Sequence, residues 1–135
     1  MSENNTGSCK CSEVKYAIKS EVEMVANCHC DTCRKMSGAA FATIVVVDEE
    51  KCEIVAGRNE LTVYQVSDNV KKHFCRKCGT PVYYLNKKIP GKCLIPIGSL
   101  DNPTGLTPSM NVFCETMLPW VRSIAEITSF DQFPR

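Results

Sequence analysis

A small, mainly β domain is predicted for this chain from three features. Short runs rich in Val, Ile, Tyr and Phe alternate apolar and polar residues at a period of two, turn residues recur between them, and one short stretch alone reads as helical. The 135 residues suit a single domain spanning 1–135, able to bury about two-thirds of the surface its unfolded chain would expose.

The elements follow in order. Residues 14–18 alternate, and residues 22–28 do so again after the Lys19-Ser20-Glu21 turn, so these two segments are expected to form a hairpin. Residues 31–37 are the helical candidate, starting beside Cys30 and ending near Gly38, a residue type that stops helices readily. Further strands are expected over residues 41–47, 52–56, 61–66, 70–74, 82–85, 93–97 and 110–113, separated by turns rich in Gly, Asn, Asp and Pro. The segment after Ile127 is expected to be loosely attached. No linker, repeat array or low-complexity tract interrupts the chain.

Composition narrows the function. At 44% hydrophobic and 23% charged residues the chain has an ordinary globular core, so a metal adds to that core and need not replace it. With Lys+Arg 16 against Asp+Glu 15, a net charge of +1 argues against nucleic acid as a partner. The longest apolar run, residues 39–47, is well short of the ~18 residues of a membrane span. The first seven residues are polar and lack the regions of a secretory signal, which leads to the expectation of a cytoplasmic protein with reduced thiols.

Seven of the ten cysteines lie in three clusters: Cys9 and Cys11; Cys28, Cys30 and Cys33; Cys75 and Cys78. A disulfide framework is the competing reading, but close neighbours such as Cys9 and Cys11 bridge each other poorly, whereas their sulfurs can converge on one metal. Four thiolates close a tetrahedral zinc site, and three leave one position open to water or substrate. Cys9-Lys10-Cys11 in an extended segment would put two sulfurs on one side. Cys75-Arg76-Lys77-Cys78-Gly79 has knuckle spacing, with Gly79 available for a positive φ. These four are expected to form a structural site. Cys28, Cys30 and Cys33, at a strand end and the first helical turn, are expected to form an open one, giving two zinc ions per chain, with zinc favoured over iron at such thiolate sites.

The remaining candidates carry weaker signals. His29, by alternation, points away from the metal its neighbours hold and reads first as a surface residue, with orienting the ligands or touching substrate as other roles. His73 reads as structural. Arg34 and Lys35 either attract an anionic substrate or form a solvated turn. Cys114 is a possible fourth ligand to the open site, while Cys52 and Cys93 have mid-strand patterns and read as core.

Gly7-Ser8-Cys9-Lys10-Cys11, Cys28-His29-Cys30-Asp31-Thr32-Cys33-Arg34-Lys35 with Ser37-Gly38, Phe74-Cys75-Arg76-Lys77-Cys78-Gly79-Thr80-Pro81 and Gly98-Ser99-Leu100-Asp101-Asn102-Pro103 occur in that order. Over residues 7–120 the chain thereby resembles the glutathione-dependent formaldehyde-activating enzyme family, which also includes centromere protein V. The resemblance implies small antiparallel β-sheets with zinc-binding hairpins, the Mss4-like fold of a small zinc-binding chaperone of guanine-nucleotide exchange. It implies structural zinc at Cys9, Cys11, Cys75 and Cys78, and zinc tied to activity at Cys28, Cys30 and Cys33. It also adds Asn111 and Trp120 to His29 and Arg34 as candidate substrate contacts. Ser12 stands where the family commonly has Gly, and Asn111 where many members have His.

The activity the resemblance implies is that of S-(hydroxymethyl)glutathione synthase, a carbon–sulfur lyase joining glutathione to formaldehyde. The expected partners are therefore a small thiol, glutathione, and a small electrophile. Two rivals stand beside it: a non-catalytic zinc module that captures a thiol or a protein partner, and a nucleic-acid or cytoskeletal association like that implied by the centromere relative.

Overall fold

The computed structural model describes residues 5–134. Its strands are β1 (Asn5–Ser8), β2 (Lys15–Ile18), β3 (Met24–Cys28), β4 (Ala42–Asp48), β5 (Cys52–Ala56), β6 (Leu61–Gln65), β7 (Val70–Cys75), β8 (Pro81–Asn86), β9 (Lys92–Pro96) and β10 (Met110–Val112), with one α-helix among the described residues, α1 (Asp31–Ser37), and short 3-10 turns, the longest at Pro119–Glu126. They assemble as a three-stranded sheet, β1-β2-β5, and a seven-stranded sheet, β10-β3-β4-β9-β8-β7-β6. Every named pairing is antiparallel except β10 with β3, which runs parallel.

The core lies where the two sheets meet. Tyr16 and Ile18 from the small sheet, with Val14 just before it, join Val25, Val45, Val47, Val82, Cys93 and Ile95 from the large one in a single buried cluster. Each fully buried aliphatic side chain here contributes about 1.5–3 kcal/mol. Tyr16 brings a hydroxyl into this apolar layer, and it is satisfied: it lies 2.7 Å from Ser99 Oγ, which itself donates to the Pro96 carbonyl at 3.1 Å. Gly7 sits flat against that ring, where a Cβ would come within 2.0 Å of it. The edge is pinned by Asp101, whose carboxylate accepts from Thr6 and Ser8 at 2.8 and 2.7 Å.

The expected hairpin of residues 14–18 with 22–28 does not form. β2 pairs with β1 and β5, while β3 pairs with β4 and β10, so the intervening turn crosses from one sheet to the other. The reason is packing: Tyr16 and Ile18 are buried against Val25 and Val45, which requires β2 and β3 to face each other across the core instead of lying side by side. The Cys9–Cys11 segment is also a turn and not an extended piece, closed by the Ser12 N–H on the Cys9 carbonyl at 3.0 Å with Ser12 at φ 70°. Cys93 is core, as read from its pattern, and Cys52 packs half-buried against that core. Residues 122–134 are exposed. Among the described residues, no helix is long and apolar enough to cross a membrane.

Candidate metal centres and cavity

The first cysteine cluster joins two turns from opposite parts of the chain. Cys9 and Cys11 lie in the turn after β1, and Cys75 and Cys78 flank the β7–β8 turn; the four sulfurs lie within 4.8 Å of one another. Their recorded separations are 3.6 Å for Cys9–Cys11 and 3.8 Å for Cys11–Cys75. Gly79 takes φ 83° so that its N–H reaches the Cys75 carbonyl at 2.8 Å, which folds Cys78 back toward Cys75. Thr80 ties the turns together: its hydroxyl accepts from the Lys10 N–H at 3.0 Å and contacts Cys78 Sγ at 3.2 Å. The Thr80 hydroxyl and backbone N–H hold the Cys78 thiol down at about 5. Cys9 and Cys75 are buried while Cys11 and Cys78 are exposed, so the cluster is half sunk into the domain.

The second cluster is built at the junction of β3 and α1. Cys28 ends the strand, Cys30 caps the helix by accepting the Cys33 N–H at 3.3 Å, and Cys33 occupies the first turn. The Cys28 and Cys30 sulfurs are 3.5 Å apart. Burial raises the Cys28 and Cys33 thiols. Burial opposes ionisation at Cys30 too, but the Cys33 amide and the adjoining sulfurs outweigh it, so its thiol is lowered. α1 ends as its sequence dictates, with Gly38 at φ 70° donating to the Arg34 carbonyl. Cys114 does not join the three sulfurs within the 4.8 Å that unites them, which leaves one side of the cluster without a protein thiol.

Beside this triad lies a cavity of about 570 Å³ that all three cysteines line. Its floor is the face of the large sheet turned away from the core: Ala26 on β3, Ala42, Ile44 and Val46 on β4, and Leu94 on β9. Phe113, held at φ 57° and 61% exposed, lines it as well. A bulky residue in the left-handed region is costly, and such strain concentrates at functional sites.

The family profile of the glutathione-dependent formaldehyde-activating enzymes matches residues 4–116. The chain belongs to that family. A provisionally named glutathione-dependent formaldehyde-activating enzyme of Aspergillus terreus is 31% identical over 77 residues, 56% of this chain. The match spans 40% of that relative's own length. A crystal structure of a Rhodobacter sphaeroides protein shares the fold with a TM-score of 0.64, at 24% identity, over 79% of this chain and 99% of that one.

Around the family's cysteine motifs, the other candidate residues are arranged as follows. His29 is fully buried, not at the surface. Burial follows from its neighbours: its N–H donates to the Val112 carbonyl at 3.0 Å, its carbonyl accepts from Thr116 Oγ1 at 2.8 Å, and its ring rests 4.8 Å from that of Phe41. His29 Nε2 is hydrogen-bonded to the Asn111 side-chain amide at 3.0 Å. The same amide accepts from Asn27 Nδ2 at 3.1 Å, and Asn27 accepts from Thr43 at 2.6 Å. This chain of bonds spans β10, β3 and β4 and fixes the cysteine-bearing loop against the sheet. Arg34 is paired with Asp31 on the same helix. Trp120, 45% exposed, lies outside the cavity lining, as does Asn111. His73 stacks on Tyr83 with centroids 4.2 Å apart, in keeping with a structural role.

The cavity floor is what the sequence reading missed. Its signal was present in residues 39–47, apolar except for Thr43: a strand covered on one face alternates, whereas Ile44, Val45, Val46 and Val47 are apolar at both parities.

Proposed function

We propose that the chain is a zinc-dependent carbon–sulfur lyase-type enzyme of the cytoplasm, acting as one domain that joins the thiol of glutathione to a small carbonyl compound, formaldehyde being the family's namesake. The observation that carries this reading is the contrast between four thiols that close on one another and three thiols that open onto a cavity.

Zinc fits both groups. Zn–S bonds of about 2.3 Å at tetrahedral angles separate sulfurs by about 3.8 Å, and the recorded separations are 3.6, 3.8 and 3.5 Å. Among the described residues all ten cysteines are free thiols, as metal ligation requires. Cys9, Cys11, Cys75 and Cys78 would hold a structural ion, and Cys28, Cys30 and Cys33 an ion that offers a fourth position to an incoming sulfur and keeps it deprotonated.

The protein's own contribution is placement. Cys30 is both helix cap and ligand, so α1 fixes its sulfur; the His29–Asn111–Asn27 bonds fix the loop that carries Cys28. The cavity holds the carbonyl compound beside the sulfurs. In the addition, sulfur forms a bond to the carbonyl carbon, the C=O π pair moves to oxygen, and the thiol proton ends on that oxygen; the lyase direction reverses each step.

Formaldehyde-dependent loss of glutathione, measured above the spontaneous rate with zinc-replete protein, tests the reading. A rate excess that disappears in Cys30→Ser is expected; no excess removes the enzyme assignment for this pair. One observation favours the second reading, a non-catalytic module that captures a thiol: among the described residues, Tyr84 and Lys88 are the only titratable ones besides the three cysteines that line the cavity. Tight glutathione binding without turnover is the outcome that reading predicts.

A further inference from the structure

We infer that the carbonyl compound handled here carries an aliphatic chain, which lies along the open face of β4 with its reactive carbon at the cysteine triad. This rests on the proposed thiol-addition chemistry and names its electrophile more narrowly. Three observations carry it. First, size: formaldehyde is comparable to a water molecule, whose share of liquid volume is about 30 Å³, whereas the cavity holds about 570 Å³. Second, chemistry: glutathione brings two carboxylates and an ammonium group, yet the cavity lining offers one charged partner besides the thiols, Lys88. The peptide therefore belongs toward solvent and only its sulfur reaches in.

Third, orientation. Register places Cys28 opposite Ala42, Ala26 opposite Ile44, and Val46 opposite Leu94, so an apolar track leads from the sulfurs along β4. The alternate residues Val45 and Val47 already fill the core, which leaves Ala42, Ile44 and Val46 with no packing role between the sheets. Pockets of this volume with mostly apolar walls and few polar groups take small organic ligands. The atom balance is that of the formaldehyde reaction: a thiol and R–CHO give the hemithioacetal, with the thiol proton on the former carbonyl oxygen and no oxidant or reductant needed.

The test uses S-alkylglutathiones from methyl to hexyl, in which the thioether stands in for the carbon–sulfur bond of the adduct. Binding to the zinc-replete full chain is read by titration calorimetry. Burial of each methylene tightens binding about fourfold, ~0.8 kcal/mol at 1.4 kcal/mol per tenfold, so the series approaches about a thousandfold from methyl to hexyl. Val46→Phe, or Leu94→Phe should the first variant fail to fold, shortens the chain length at which affinity stops rising.

Binding that changes less than about tenfold across the series overturns the inference and leaves the thiol chemistry standing. If no member binds, the glutathione reading falls and takes the inference with it, an outcome distinct from a flat series that does bind. A dimer that persists with hexyl ligand present, with no chain-length effect, assigns the face to a second copy and likewise overturns the inference.

Discussion

Replacing Cys75 by Ser and comparing the result with Cys30→Ser separates the roles of the two clusters. Cys11 and Cys75 meet at 3.8 Å although 64 residues apart in sequence, so an ion there closes a long loop. Cross-linking a loop of that length removes about 4 kcal/mol of unfolded-state entropy, by the relation used for disulfides. The triad spans only residues 28–33, and the same relation gives about 2 kcal/mol. For a chain of 135 residues one kcal/mol corresponds to roughly 3–4 °C in Tm. Cys75→Ser is therefore expected to lower Tm by about 15 °C and Cys30→Ser by about 7 °C. Thermal unfolding followed by circular dichroism, with zinc and reductant present, measures both. Equal losses, or the greater loss in Cys30→Ser, would refute the assignment of the stapling role to the Cys9/Cys11/Cys75/Cys78 cluster.

Further outcomes follow from single residues. Ser12→Gly relieves a left-handed backbone at φ 70° and is expected to raise stability by about 1 kcal/mol in urea unfolding. Gly57→Ala acts in the opposite direction: its Cβ would lie 2.0 Å from the Glu13 carbonyl oxygen at φ +78°, and a loss of about 2 kcal/mol or more is expected by the same assay. Asn111→Ala strips the partner from the buried His29 Nε2, an expected cost of about 1–3 kcal/mol, while Asn111→Gln, which keeps an amide, recovers part of it. Cys78 is depressed from 9.0 to about 5, so in metal-free protein its thiolate favours the fold above its ordinary value and that contribution is lost as pH falls through about 5, while Cys11 in the same cluster is raised to about 12 and offsets it as pH climbs past 9. Alkylation of Cys78 by iodoacetamide at a pH between the two Cys78 values should be slower in Thr80→Val, whose thiol rises toward its ordinary range; an unchanged rate would remove the role given to Thr80.

The local elements were legible because local patterns cause them. Residues 31–37 form α1 to both predicted limits, since the Cys30 cap and the Gly38 stop are sequence-local, and residues 52–56 form β5 as read. The sulfurs of each cysteine cluster do gather within 4.8 Å of one another, although Cys9 and Cys11 meet through a turn and not through the extended segment their spacing suggested. Pairing was less legible, because alternation says which residues share a face and not which strand lies alongside. β1, with sequence Asn-Thr-Gly-Ser, has little strand propensity of its own and exists through its register with β2 and the fit of Gly7 under Tyr16. His29 was misread for a related reason: alternation turned it away from the sulfurs, and the partners that bury it, Val112 and Thr116, come from beyond residue 110. The parallel pairing of β10 with β3, which brings them there, has no signature in either segment.

Zinc content per chain during graded removal by a chelator tests the central claim most directly. An ion enclosed by four protein thiols and one held by three must differ in lability, so two ions per chain are expected at the start, one leaving early and the other persisting until the domain unfolds. Glutathione added beforehand should delay the first departure and leave the second unchanged. A single ion per chain, or two that leave together and respond alike to glutathione, would contradict the account.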